Sequence, residues 1–280
     1  LEKIIHLVSE LKKMIPDGFS GACWGYDFDW EARYSKIEAY EPSVVATGII
    51  ANALYLAFRE TGYQECAELV MSAKDFVVKD LNRVYDGESF CFSYSPFDDE
   101  QVFNASLKGV RLIAQAYSVD SDPDPKLNQT ARQAVDFVIN HQKLDGSWGY
   151  SLHSTGDWTD NYHTGYVLDC LDEYQTLMDD FDYELNIKRG YEFYRNNFIN
   201  PDGSPKFYYN KSHPIDCTSA AQTILTSIRF GDNEVAERVG VYMIENMQKK
   251  NGSFKFRKFK TNTIITSFMR WSDAWMFAAL

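Results

Sequence analysis

The sequence predicts an all-α protein: an α/α toroid, a closed barrel of about five to six helix pairs, in a single domain spanning residues 1–280. Three observations carry this expectation. The first is a repeated phrase. Gln142 to Trp148 reads QKLDGSW and Gln248 to Phe254 reads QKKNGSF, with weaker copies at Asp17-Gly18, Asp86-Gly87 and Asp202-Gly203. The glycines at 18, 87, 146, 203 and 252 are 69, 59, 57 and 49 residues apart, the mark of a repeat architecture. The second is that two kinds of helical segment alternate. One is small-residue and nearly uncharged, as in VVATGIIANALYLAF; the other is plainly amphipathic, as in QTARQAVDFVINHQ. The former reads as buried all round and the latter as lying outside it. The third is that both terminal segments are apolar, so ring closure is a better end for them than the capped ends of an open solenoid.

Each element follows from its local sequence. Residues 1 to 14 place Ile4, Ile5, Val8, Leu11 and Met14 on one stripe, and Pro16-Asp17-Gly18 ends that helix. An irregular aromatic and acidic stretch from Cys23 to Tyr40 follows; a loop of that length inside a domain is more often functional than not. A small-residue helix starts after Pro42, and an outer helix runs from about Tyr63 to Leu81. The pattern recurs: an aromatic loop over Phe90 to Asp99, an inner helix from about Glu100 and an outer one over about 127–142. Then come the inner DNYHTGYVLDCLDEY, an outer helix near 183–198, the inner PIDCTSAAQTILTSIRF, an outer helix near 232–248, and a last inner helix in ITSFMRWSDAWMFAAL. In the repeated phrase, Asp/Asn-Gly is turn chemistry and the aromatic after it can pack on the neighbouring repeat.

Composition limits the function. A net charge of −12 disfavours nucleic acid and anionic membrane surfaces as partners. No apolar run reaches the ~18 residues of a membrane helix, and no signal peptide is visible. Five scattered cysteines without a CxxC pair suit reduced thiols in a cytoplasmic protein. The 18 Tyr and 6 Trp exceed what a core requires and suit a binding cleft for a small molecule or glycan. No HxH, HExxH, Walker, GxGxxG or GxSxG pattern occurs, so neither a metal nor a cofactor is expected.

In a toroid the inner helices run parallel, so their N-terminal ends, with the aromatic loops before them, share one mouth. Residues placed there are Trp30, Tyr94, Asn104, Trp158, Asp160, Asn161, His163, Tyr166, His213, Asp216, Gln222, Arg270 and Trp271, with Trp24, Asp27, Arg33, Ser106, Thr218 and Trp275 beside them. Asp160 and Asp216 also sit where helix caps belong, and Asn104 and Gln222 suit buried structural hydrogen bonding. Arg270, on an otherwise nearly uncharged helix, calls for a carboxylate from Asp160, Asp216 or a ligand.

The phrase Gln142-x-x-Asp145-Gly146-Ser147-Trp148 resembles the repeated Q-x-x-x-G-x-W of terpene cyclases and their toroid relatives. Asp216-Cys217-Thr218 is similar to the stretch whose Asp is the proton donor of oxidosqualene cyclases. Those enzymes use two toroidal domains, however, and the D-x-D-D form is absent here. FNAS, DNYHTGYVL, PIDCTSAAQ and MRWSDAWMFAAL resemble blocks of a bacterial single-toroid family associated with surface-polysaccharide biosynthesis. Members of that family are sometimes labelled aminolevulinate dehydratase, a β/α-barrel enzyme this helical sequence does not resemble.

Three readings follow. The first is a carbohydrate-active hydrolase, lyase or epimerase acting on a glycan or activated sugar. In it Asp160, Asp216, His163 and Tyr166 do acid-base chemistry, Arg270 holds an anionic group, and the remaining mouth residues bind substrate. A hydrolase would show paired carboxylates, an epimerase or lyase Tyr/His opposite Arg. The second is a terpene cyclase or prenyl-chain enzyme with Asp216 as proton donor. The third is a noncatalytic binding or assembly protein.

Overall fold

The computed structural model describes residues 1–31, 36–153 and 156–280; Arg33, assigned above to the mouth, lies outside them. The chain forms two compact units. One holds Leu1–His141 and Cys170–Asp182, the other Gln142–Asp169 and Tyr183–Leu280. Among the described residues no helix is long and apolar enough to cross a membrane.

The first unit is a run of helices, α1 (Glu2–Lys13), α2 (Val44–Thr61), α3 (Gln64–Lys79), α4 (Phe103–Val119) and α5 (Lys126–Asn140), with two short antiparallel hairpins. α2 packs on α3 and α4, and α4 packs on α3 and α5. Ser43 starts α2 by accepting the Ala46 amide at 3.2 Å. Gly62 stops it in the left-handed region at φ 69°. α4 is buried without a break from Phe103 to Ala116, as its small-residue start predicts. The expected aromatic loop after Gly87 is instead partly strand: β4 (Ser89–Phe92) pairs with β3 (Arg83–Asp86) around the Asp86-Gly87 turn. All four residues of β4 are buried, so Phe90, Cys91 and Phe92 pack better as a covered, hydrogen-bonded strand than as a free loop.

The second unit contains the N-terminal part of α6 (Asn161–Met178), then α7 (Glu184–Asn197), α8 (Cys217–Arg229), α9 (Asn233–Asn246) and α10 (Ala274–Ala279). α8 packs on α9 and α10. The repeated phrase builds one turn three times. Asp145, Asp202 and Asn251 each accept the amide and hydroxyl of the serine two residues on, Ser147, Ser204 and Ser253, at 2.6–3.2 Å. Gly146 takes φ 93° and Gly203 takes φ 84°. A Cβ at Gly146 would stand 2.5 Å from the Arg189 carbonyl oxygen of α7, and one at Gly203 would stand 2.7 Å from that of Arg238 in α9. These two turns therefore rest directly on the next amphipathic helix, and only glycine permits that approach; at Gly252 nothing lies within 4 Å of a Cβ. Trp148 is buried against Gly190 of α7, as the aromatic of the phrase was expected to be.

The last predicted inner helix is much shorter than its sequence suggests. β5 (Ile215–Asp216), β6 (Arg257–Lys258) and β7 (Thr263–Ile264) form a three-stranded sheet, and helix begins only with a π-helical turn at Met269–Asp273. The β-branched run Thr263, Ile264, Ile265, Thr266 favours extended backbone. Ser272 donates its hydroxyl to the Phe268 carbonyl and accepts the Phe268 amide, fixing the turn.

Candidate active site

The site is built where α6 begins. Trp158, Asp160, Tyr162, His163 and Tyr166 occupy the loop end and first turns of that helix, and Tyr150 comes from the connection between α5 and α6. The Tyr150 amide donates to the carbonyls of Gly156 (3.0 Å) and Trp158 (2.9 Å), clipping the loop shut. The two rings then stack at 4.7 Å and 12°.

Asp160 caps α6: its Oδ1 accepts the His163 amide at 3.0 Å. Its Oδ2 lies 2.9 Å from Trp158 Nε1 and 2.7 Å from His163 Nδ1. An ionised carboxylate only accepts, so the proton of the His163 ring sits on Nδ1 and Nε2 is the basic nitrogen. Nε2 has no hydrogen-bond partner among the described residues. Asp160 is 2% exposed and the His163 side chain 21%. The orienting acid is thus sealed while the imidazole reaches solvent. Around that ring stand Tyr162 at 4.1 Å, Tyr150 at 4.6 Å and Tyr166 at 6.3 Å. Trp275 stands 5.9 Å beyond Tyr166. Burial, with the charges of Asp160 and Asp216, pushes the Tyr162 hydroxyl well above the usual phenol range, so it is held protonated.

Asp216 repeats the capping arrangement on α8. It is 1% exposed and accepts the amides of Thr218 (2.9 Å) and Ser219 (3.1 Å). Its other oxygen takes Arg257 Nε at 2.8 Å. Burial raises this carboxyl above the ordinary range, against the lowering by Arg257 and the two amides. The Arg257 guanidinium carbon lies 4.9 Å from the ring centres of both Phe207 and Phe256. Phe207 is 5.7 Å from Tyr162, which ties the second carboxylate to the same aromatic wall.

The other residues expected at the mouth divide. Asn161 is buried, donating to Thr223 Oγ1 at 3.0 Å and accepting from Tyr194 at 2.7 Å. Gln222 donates to Asp169 at 2.7 Å and to Thr226 at 2.9 Å. Both serve the interior. Trp271 stands in the π-helical turn, where its carbonyl accepts the Thr218 hydroxyl at 3.0 Å. His213 is half-buried beside Ser212. Arg270 is exposed on that turn rather than buried on an inner helix. Trp30, Tyr94 and Asn104 belong to the first unit. Trp30 lies in β1 (Trp30–Glu31), 5.8 Å from Tyr26, and Tyr94 donates its amide to Asp98. Asn104 is buried, and its Oδ1 has no hydrogen-bond partner among the described residues. No group of three or more His, Cys, Asp or Glu among the described residues is placed to hold a metal.

Sequence reasoning missed Tyr150, Tyr162, Phe207 and Arg257. Tyr162 and Tyr166 are spaced i, i+4 and could have been read as one helix face. Arg257 closes the stretch FKFR, whose period-2 alternation marks a strand.

No family profile and no curated protein matches the chain. Solved structures do resemble it. A sugar epimerase from a ruminal bacterium superposes with a TM-score of 0.70 at 9% identity, covering 92% of this chain and 74% of that one. The cellobiose 2-epimerase of Spirochaeta thermophila gives 0.69 at 9%, covering 96% and 77%. The unsaturated glucuronyl hydrolase of Bacillus sp. GL1 gives 0.63 at 11%, covering 84% and 72%. At such identities the likeness speaks for fold, and the fold is the all-α, α/α-toroid class the repeats predict.

Proposed function

We propose that the protein is a carbohydrate-active enzyme working by proton transfer at His163, an epimerase or lyase rather than a hydrolase. The observation that carries this is the dyad: buried Asp160 at 2.7 Å holds His163 with Nε2 as an accessible base. A hydrolase would need a second carboxylate free to face the scissile bond. Asp216 instead spends its oxygens on two amides and Arg257. The same engagement argues against Asp216 as the proton donor of a terpene cyclase. Stacked Tyr150 and Trp158, with Tyr162 and Tyr166, offer the flat faces and polar tips that sugar rings use. The likeness to two sugar epimerases and a glucuronyl hydrolase supports the substrate class. The proposal takes the chain as one domain in polysaccharide metabolism, and places it in the cytoplasm because its five buried cysteines form no disulfide among the described residues.

A thermal-shift panel tests the substrate class. Wild type and Trp158→Ala are screened against uronic acids, neutral oligosaccharides, nucleotide sugars and prenyl diphosphates. A stabilising shift with one or more sugars, lost in the variant, is expected. A shift with prenyl diphosphates alone, or with none of the four classes, overturns the proposal.

A further inference from the structure

Arg257 is placed for more than pairing with Asp216. Only its Nε faces that carboxylate, at 2.8 Å, and neither Nη group has a hydrogen-bond partner among the described residues. The side chain is 28% exposed. Its plane is fixed by a carboxylate at one edge and by two aromatic rings, with Phe207 reaching on to Tyr162 and so to His163. A guanidinium anchored through Nε keeps its two Nη–H groups as a rigid fork, the geometry that takes a carboxylate bidentately. The edge that β6 shares with β5 holds the backbone in place, with Asp216 opposite Arg257 in register.

We propose that this fork binds the carboxylate of a uronic-acid residue of the substrate, setting its C5–H before His163. The inference rests on the reading of His163 as the base, and it names the substrate class of that same site. The chemistry explains why an Arg belongs there. The hydrogen at C5 of a uronate lies α to the carboxylate and is too weakly acidic to leave while that group keeps its full charge. Neutralising the charge by a bidentate Arg lets the C5–H electron pair pass into the carboxylate as the proton moves to His163 Nε2. From that intermediate, a proton returned to the opposite face of C5 by the Tyr162 hydroxyl yields the C5 epimer. Alternatively, loss of the C4 oxygen substituent, which leaves with that proton, yields the 4,5-unsaturated sugar. The side chains then re-equilibrate with water.

The test reads hydrogen exchange by proton NMR in D2O. Wild type, Arg257→Lys and an Asp216→Asn/Arg257→Gln double variant are incubated with three probes: oligosaccharides containing glucuronate or galacturonate, the matching neutral oligosaccharides, and glucose 1-phosphate. Arg257→Lys keeps the charge beside Asp216, and the double variant removes both charges together, so each avoids a stranded buried ion; melting curves confirm folding. Deuterium at C5, or the 4,5-unsaturated product, is expected from the uronates alone, formed at least 100-fold more slowly by both variants. Exchange at C2 of neutral reducing sugars at equal rates in all three proteins overturns the inference while leaving His163 as the base. Exchange or stabilisation with the sugar phosphate alone replaces the carboxylate by a phosphate and overturns it as well. Absence of both exchange and a 4,5-unsaturated product in every sugar with wild type refutes both this inference and the proposed function.

Discussion

Replacing Asp160 by Asn tests the dyad with the least change in shape. The amide oxygen can keep the cap on the His163 amide, now 3.0 Å from Oδ1. The amide nitrogen then stands where Oδ2 accepts from Trp158 Nε1 at 2.9 Å and from His163 Nδ1 at 2.7 Å. One clash of donors is relieved if the imidazole changes tautomer, so that Nδ1 accepts from the Asn and Nε2 carries the proton. The other is not, because an indole N–H only donates. Leaving that partly buried donor without an acceptor costs about 1–3 kcal/mol. For a chain of this length that is a fall in Tm of about 2–4 °C per kcal/mol. Loss of the base through the wrong tautomer lowers turnover by roughly 10²–10⁴-fold. Long-range ¹⁵N–¹H NMR of the histidine rings, with His163 assigned by its loss in His163→Gln, reads the tautomer directly. Protonated Nδ1 is expected in wild type and protonated Nε2 in Asp160→Asn. An unchanged tautomer together with an unchanged Tm would refute the reasoning.

Other predictions concern the scaffold. Gly146→Ala combines a left-handed φ of 93° with a Cβ 2.5 Å from a carbonyl, whereas Gly18→Ala, at φ 91°, meets nothing within 4 Å. By chemical denaturation the latter should cost about 1–2 kcal/mol and the former clearly more; equal losses would show that the turn does not rest on α7. Tyr194→Phe removes the donor to Asn161 and should lower stability by about 1 kcal/mol without changing sugar binding, as a structural Asn161 requires; weakened binding at unchanged stability would return Asn161 to the substrate. The buried thiols should react with Ellman's reagent only on unfolding. Burial pushes Cys23 and Cys91 up to about 12. Because these folded-state values exceed the unfolded ones, stability is complete below ~8.5 and falls by about 1.4 kcal/mol per pH unit for each thiol as pH rises toward 12. Denaturation midpoints constant from pH 8 to 10.5 would contradict that.

The helices were legible because their two types differ in composition. The unbroken burial of α4 and the amphipathic α5 both follow from the residues they carry. The turns were legible because Asp/Asn-Gly-Ser closes on itself within four residues, independent of the rest of the chain. Asp160 and His163 came from their place before a small-residue helix, since a cap and the residue one turn on meet locally. Arg257 could not be found that way. Its pairing with Asp216 spans 41 residues and depends on β5 meeting β6, a long-range register that the helix-period pattern does not encode. Arg270 stands on a π-helical turn for the same reason: the helix reading of residues 265–280 ignored its β-branched start.

The central claim, that His163 moves a carbon-bound proton of a sugar, is met most directly by comparing wild type with His163→Ala for deuterium uptake into sugars in D2O. The account predicts uptake at one carbon of the substrate, or the unsaturated product of elimination there, by wild type and a loss of roughly 10²–10⁴-fold in a variant that still folds. Uptake at the wild-type rate by His163→Ala would contradict it.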